Sequence, residues 1–204
     1  MDQQPQTNGT QASNNMAPMV SHGGHELFDA HEVIASTISV LDQYQMYEQH
    51  IQDAELKKIL TNQTEFLTQL YNIMVECLQT GQKPSQSTHI YNMSQNNDVV
   101  YGMKPGQPKK PNQSVNDLTD QGLSAYMLGQ AKGLASLMSM TALEMTNPVI
   151  RRVVGDSVPN LIEMSYEIFL YQNKRGYYQV PQLAAQDLTQ MTNSYTQTPD
   201  QRIN

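Results

Sequence analysis

The sequence contains one cysteine, Cys77, so it can form no internal disulfide, and a lone thiol says little about redox compartment. Charge is scarce at 15% of residues, with 12 Lys and Arg against 19 Asp and Glu and a formal net charge of −7. An acidic chain without basic clusters argues against nucleic acid as the main partner, because neutralising phosphates requires Lys and Arg. No apolar run reaches the roughly 18 residues of a membrane-spanning helix. The stretch from Met1 to Met19 has neither a basic segment nor a hydrophobic one, so no secretory signal is expected there. A glycine-rich phosphate loop entering a helix, a serine nucleophile elbow and a CxxC pair are all missing. Hydrophobic residues are also few, at 38%. The deficit falls on the two ends and one central stretch, which leaves the remainder able to build a core.

What is present is helical periodicity. Residues 1–24 hold few bulky apolar side chains and are expected to form a disordered polar extension. From Glu26, the residues Leu27, Ile34, Ile38 and Leu41 recur at helical spacing and predict a first helix over about 25–50. Asp53 is a favourable N-cap for a second helix striped by Leu56, Ile59, Leu60, Gln63, Leu67, Leu70, Met74 and Cys77. Gly81 ends that helix and Pro84 forbids its continuation. Residues 82–115 are rich in Pro, Gly, Gln and Asn and predict a long connection. A third helix is expected at about 117–145, with Leu123, Met127, Leu134, Leu137 and Thr141 inward. Asn147–Pro148, a cap followed by a proline at the first helical position, opens a fourth. Its stripe is Ile150, Val153, Val154, Ser157, Leu161, Met164, Ile168 and Tyr171, with Pro159 expected to kink it.

The second hairpin repeats the first. Residues 53–74 align with 147–168 at an offset of 94, so that cap meets cap and Lys57–Lys58 meets Arg151–Arg152. Upstream, 45–49 matches 141–145 with a turn two residues shorter, which pairs Glu48 with Glu144. A helix of about 25 residues is roughly 37 Å long, and the 82–115 stretch is long enough to cross it. The fold class expected is therefore all-α: a ferritin-like four-helix bundle of two helical hairpins joined by a long crossover, over 25–176. A polar C-terminal tail, 177–204, follows.

Ferritin-like bundles can hold two metals on single Glu residues from two helices and Glu-x-x-His pairs from the others. Here Glu32, beside His31, and Glu65 stand at suitable places, but Thr68 occupies the position of the first histidine. Pro159, Ile162 and Leu128 stand where further ligands would be, so no metal, cofactor or catalytic residues are assigned. His22, His25, Glu26 and His31 cluster at the start of the first helix without tetrahedral spacing and read as an entry segment. Glu163 and Glu167, four apart, read as a solvated helix face rather than an acid–base pair. Cys77 reads as a core thiol, and Met127, Met138, Met140, Met145 and Met164 as core filler.

The stretch GGHELFDAHEVIASTISVLDQYQMYEQHIQDAELKKIL (23–60) resembles the start of the spore coat protein F (CotF-like) family of endospore-forming bacteria. The resemblance continues through YNIMVECLQTGQKP (71–84), Tyr91–Met93 and the second hairpin to GYYQVPQL (176–183). It implies a ferritin-like fold and a structural, non-enzymatic component of the spore coat, or a relative made during sporulation, with no cofactor. The partners implied are other spore coat proteins, with a homodimer conceivable and a peptide- or lipid-binding module disfavoured by the lack of a basic amphipathic face. The aromatic residues Tyr44, Tyr47, Tyr166 and Phe169 are expected off the main seam, as the candidates of which some face a partner, while Tyr91, Tyr101, Lys104, Lys109 and Lys110 read as a solvated crossover ahead of the alternative, sites of oxidative Tyr or Lys–Gln crosslinking.

Overall fold

In the computed structural model, residues 23–198 are described. The expected extension 1–24 therefore lies almost wholly outside them, as do His22 and the last six residues of the tail. Four long helices account for the bundle: α1 (Gly24–Glu48), α2 (Ala54–Thr80), α3 (Asp120–Glu144) and α4 (Pro148–Lys174). A 3-10 turn, Val115–Asp117, precedes α3, and a short α5 (Ala185–Thr192) follows the bundle. Among the described residues there is no strand, only one parallel bridge between Tyr101 and Val180. The repeat survives in the helix lengths, since α1 and α3 are both 25 residues and α2 and α4 both 27.

Each of α1 and α4 packs beside both α2 and α3. Asn147 Nδ2 donates to the Gly81 carbonyl, which brings the start of α4 to the end of α2. Glu26, in the first turn of α1, meets the same α3–α4 turn through the Thr146 and Asn147 amides. At the opposite end, Asp120 of α3 accepts from the Gln52 and Asp53 amides that open α2. Adjacent helices are thus antiparallel, and the 81–119 connection runs the length of the bundle.

The helix starts obey the sequence. Asp53 accepts from the Glu55 and Leu56 amides at 2.8 and 3.3 Å, and Asn147 accepts from Val149 and Ile150 at the same two distances. Each cap satisfies donors that have no partner within their own helix. Gly81 closes α2 with φ of 64°, a conformation that costs glycine no Cβ clash. The stripes read for α2 and α4 are all buried, and α4 continues through Pro159 to Lys174.

The stripe read for α1 is rotated. Its buried face is Glu26, Ala30, Val33, Thr37, Val40 and Tyr44, whereas Leu27 and Ile38 are 49% and 41% exposed. Ile34 and Leu41 are half-buried and line the flank. Counting large aliphatic residues misplaced the face because half of the true one is small or polar. Thr37 is tolerated inside because its hydroxyl donates to the Val33 carbonyl at 2.8 Å. Met140 is likewise exposed, not core filler, and Leu137 is only half-buried. Tyr44, one of the candidates to face a partner, is wholly buried.

Beyond α4 the chain turns at Gly176 and lays Val180 beside Tyr101, where the Gly102 amide donates to the Val180 carbonyl at 2.9 Å. The region read as a polar tail thus begins with a docked segment and includes α5. Arg175 locks the end of α4 to the start of α2. Its guanidinium donates to Asp53 Oδ2 at 2.6 and 3.0 Å and to Glu55 Oε2 at 2.8 Å, while lying 3.9 Å from the centre of the Tyr171 ring. Partial burial opposes charge on Asp53 and Glu55, but the Arg175 bonds outweigh it and hold both carboxyls below their ordinary values of 3.8 and 4.5. With both folded-state values lowered, the stabilisation is complete above those ordinary values and fades as pH falls through the lowered ones. Arg175→Met is expected to cost about 2 kcal/mol at neutral pH. Urea denaturation should show that difference shrinking as pH falls below the ordinary carboxylate values; a difference that stays constant with pH would contradict the lock.

Candidate functional site

The most concentrated polar chemistry in the bundle lies where the crossover docks on α4. Glu167 is fully buried, although Glu163 one turn earlier is exposed, so the two do not form a shared solvated face. The Glu167 carboxylate accepts from the Ser94 amide at 2.7 Å, the Ser94 hydroxyl at 2.9 Å and the Tyr91 hydroxyl. Tyr91 is itself buried. Its amide donates to Asn160 Oδ1 at 2.8 Å, and its ring meets Phe66 edge-on at 5.5 Å. The crossover is therefore not simply solvated: its middle is inserted between α2 and α4, while Lys104, Lys109 and Lys110 remain exposed.

The network continues inward. Gln63 interacts with the Tyr91 hydroxyl, accepts from the Tyr44 hydroxyl at 2.9 Å and donates to the Met164 carbonyl at 3.1 Å. A polar thread thus links the crossover, α4, α2 and α1. Burial raises the Tyr91 hydroxyl above its ordinary value, and the Glu167 carboxylate raises it further. Burial does the same for Tyr44. These phenols stay protonated and donate, Tyr44 to Gln63 and Tyr91 to Glu167, whose carboxylate also takes two donors from Ser94. The arrangement is suited to holding a chain segment, not to acid–base turnover.

The other candidates disperse. Glu32 and Glu65, the nearest match to ferritin-like ligands, are both exposed. His25 and His31 are exposed too, while Glu26 turns inward to the Thr146 hydroxyl and the amides of Thr146 and Asn147. The buried carboxylates Glu26 and Glu167 belong to different networks. Among the described residues no group of three or more His, Cys, Asp or Glu side chains converges. The donor set therefore does not fit the di-metal centre that a ferritin-like fold brings to mind. The void between α1, α2 and α4 lined by Ala30, Val33, Cys77 and Val154 measures only about 10 Å³. Cys77 is fully buried, with its thiol pushed up to about 11 by burial and then by Glu76, as a core thiol should be.

The large opening is outside. A groove of about 670 Å³ runs between residues 83–90 of the crossover and the first half of α4, lined by Lys83, Ile90, Val149, Arg152 and Asp156 among others. Tyr47, Tyr166 and Phe169 are half-buried rather than free, forming two aromatic rows: Tyr44–Tyr47–Tyr126 and Tyr166–Phe169–Tyr178. Sequence reasoning missed the role of Glu167. The signal was its place among Met164, Ile168, Leu170 and Tyr171, which makes that part of α4 too broadly apolar to be a solvated face.

Glu167→Ala should leave the Tyr91 and Ser94 donors stranded and cost about 2–3 kcal/mol, with Tyr91→Phe costing about 1–2 kcal/mol. Amide hydrogen exchange across 91–101 should accelerate at least tenfold in Glu167→Ala while the start of α2 is unchanged. Wild-type exchange in that variant would refute the docking role.

Comparison with known proteins places these features in a family. The family model described as the Coat F domain matches residues 119–181, which span α3, α4 and the docked segment after them. The chain is 54% identical over 173 residues to the spore coat protein F-like protein YhcQ of Bacillus subtilis (strain 168), covering 85% of this chain and 80% of that protein. A crystal structure of a candidate spore coat protein from Bacillus halodurans matches with a TM-score of 0.58, covering 80% of this chain and 96% of that one. At 12% identity that likeness concerns the fold alone. The similarity to YhcQ extends over both hairpins and the crossover, and on it this chain belongs to the spore coat protein F-like family.

Proposed function

We propose that this chain is a structural component of the bacterial endospore coat, or a sporulation-associated relative, that acts by protein–protein association and not as an enzyme. The observation that carries this reading is the 54% identity to a spore coat protein F-like protein over most of both chains. The side-chain chemistry supports it. The buried carboxylates, Gln63 and the hydroxyls of Tyr44 and Tyr91 are engaged in holding helices and crossover together, and the void between α1, α2 and α4 is too small for a ligand.

On this reading the bundle of 25–176 adopts the ferritin-like order of two hairpins and one long crossover, used as a scaffold, with polar extensions at 1–24 and 177–204. No helix among the described residues is long and apolar enough to cross a membrane. The place of work is the spore coat. Its partners are other coat proteins or a second copy, met through the exterior, where exposed aromatics such as Tyr126 and Tyr178 can serve as anchors.

The competing reading is a ferritin-like metal or redox protein. Two measurements separate them. Fractionated spores should yield the chain in the alkaline coat extract and not in the core. Elemental analysis after aerobic iron loading of the purified protein should find no stoichiometric iron. About two irons per chain, lost on Glu32→Ala, would install the competing reading instead.

A further inference from the structure

The segment after the docked residues 177–180 is in an unusual state. Every residue from 181 to 198 is exposed, including all of α5. Yet the segment has an apolar face: Ala184, Leu188, Met191 and Tyr195 are spaced four, three and four apart, one side of a helix. Leu188, Met191 and Tyr195 are 52%, 60% and 87% exposed. A helix of eight residues is too short to persist alone in water, where isolated helices need about 12–15. This segment is built to lie against something.

The same chain carries a surface of matching chemistry. The groove between residues 83–90 and α4 is lined by Ile90, Val149 and Val153, with Pro84, Pro148 and Pro159. Ile90 is one of the most exposed large hydrophobic residues of the crossover. The charged groups at the rim are Lys83, Arg152 and Asp156, with His89 beside them. Asp156 already faces Arg152 at 3.8 Å, so the rim retains net positive charge. The only charged residue from 181 to 198 is Asp187, in the first turn of α5. An amphipathic helix with one negative charge meets an apolar groove with a positive rim, in a chain whose net charge is −7 overall.

Reach decides between the chain's own groove and another's. Val180 is tied to Tyr101, and Asn173 of the last turn of α4 bonds both Val100 and the Tyr178 carbonyl. The tail thus departs from the end of the bundle where α4 finishes. Arg152 lies near the opposite end, about 33 Å back along the helix axis at 1.5 Å per residue. From Val180 the linker 181–184 spans at most about 14 Å and the three helical residues to Asp187 add about 4.5 Å, roughly 19 Å in all. Asp187 could meet its own Arg152 only by abandoning the Tyr101–Val180 pairing.

We propose that the tail 183–195 of one copy docks, as a helix, into the 83–90/α4 groove of a second copy, with Asp187 facing Lys83 and Arg152. The two surfaces are different patches, so the contact is head-to-tail. Each copy that gives its tail keeps its own groove free, and the association propagates into open chains or closes into rings. This rests on the association reading above and names the surface that performs it.

The test uses the full chain. Sedimentation velocity of wild type should show a ladder of species that grows with concentration. A tail variant, L188D with M191D, and a groove variant, I90D with R152E, should each be monomeric at concentrations where wild type assembles. Mixed in equal amounts they should form a one-to-one heterodimer, because one retains an intact groove and the other an intact tail. Arg152→Glu and Asp187→Arg should each weaken assembly at least tenfold, and the two reversals combined in one chain should restore it. All five substituted side chains are exposed, so melting temperatures should match wild type; should a double variant melt early, the charge-reversal pair decides alone. Wild type that assembles regardless of either variant overturns this proposal and leaves the association reading standing. Variants that fail to complement on mixing overturn it in favour of a two-fold contact. A wild-type monomer with α5 protected from exchange overturns it in favour of docking on the same chain.

Discussion

Two short turns, 49–53 and 145–147, join the helices within each hairpin, and the amides that leave them have no partners in the helices they begin. Both turns are satisfied by a carboxylate from the first turn of a helix in the other hairpin. Glu26 of α1 accepts from Thr146 and Asn147, and Asp120 of α3 accepts from Gln52 and Asp53. Asp120 opens α3 and Glu26 lies two residues into α1, so the two carboxylates take near-equivalent places in the repeat. Each hairpin therefore completes the turn of the other, at opposite ends of the bundle. A sliding of one hairpin against the other by a single helical turn would strand both sets of donors at once. Registry between the hairpins is fixed by this reciprocity, and the apolar stripes then have one way to meet.

The rest of the architecture hangs on that registry. With α2 and α4 side by side and antiparallel, their outer furrow has one length and one direction. The crossover can follow it from the end of α2 to the start of α3. It is held there by backbone and side-chain donors meeting fixed acceptors: Tyr91 and Ser94 on Glu167, Tyr91 on Asn160, Val100 on Asn173. A segment poor in large apolar residues cannot be held by burial alone, because the area it removes from water is too small to offset the entropy of ordering it. Buried polar groups on α4 supply what burial does not, and each unmade bond would carry the cost of a stranded group.

That division explains what was legible in the chain. Helix lengths, the caps at Asp53 and Asn147, the Gly81 stop and the stripes of α2 and α4 follow from local rules and could be read directly. The face of α1 could not, because half of it is small or polar: Glu26 is drawn inward by the α3–α4 turn, Thr37 is made tolerable by a bond back to Val33 in its own helix, and Ala30 adds little to an apolar stripe. Glu167 was hidden as Glu26 was. A carboxylate beside Ile168 and Tyr171 is ambiguous until the segment that covers it is known, and that segment is seventy-odd residues away and has no periodicity of its own. Tyr91 and Tyr101 sit ten residues apart in that one segment, yet the first is core and the second surface. No pattern in the crossover separates them; only the acceptors waiting on α4 do.

The polar interior also bears on what kind of protein this is. In a ferritin-like enzyme, inward-facing carboxylates must keep part of their coordination free for a metal and must face one another. Here Glu26 and Glu167 lie in separate networks and accept from protein donors, and Tyr91 beside Glu167 is held protonated by burial and by that carboxylate. The buried charge of the bundle is committed to its own registry and to the crossover. On the surface stand a groove beside the crossover, two aromatic rows and an exposed amphipathic helix. The interior makes a body of fixed registry, and the head-to-tail contact proposed above depends on that, since any slack between the groove at one end and the tail at the other would be multiplied along an assembly.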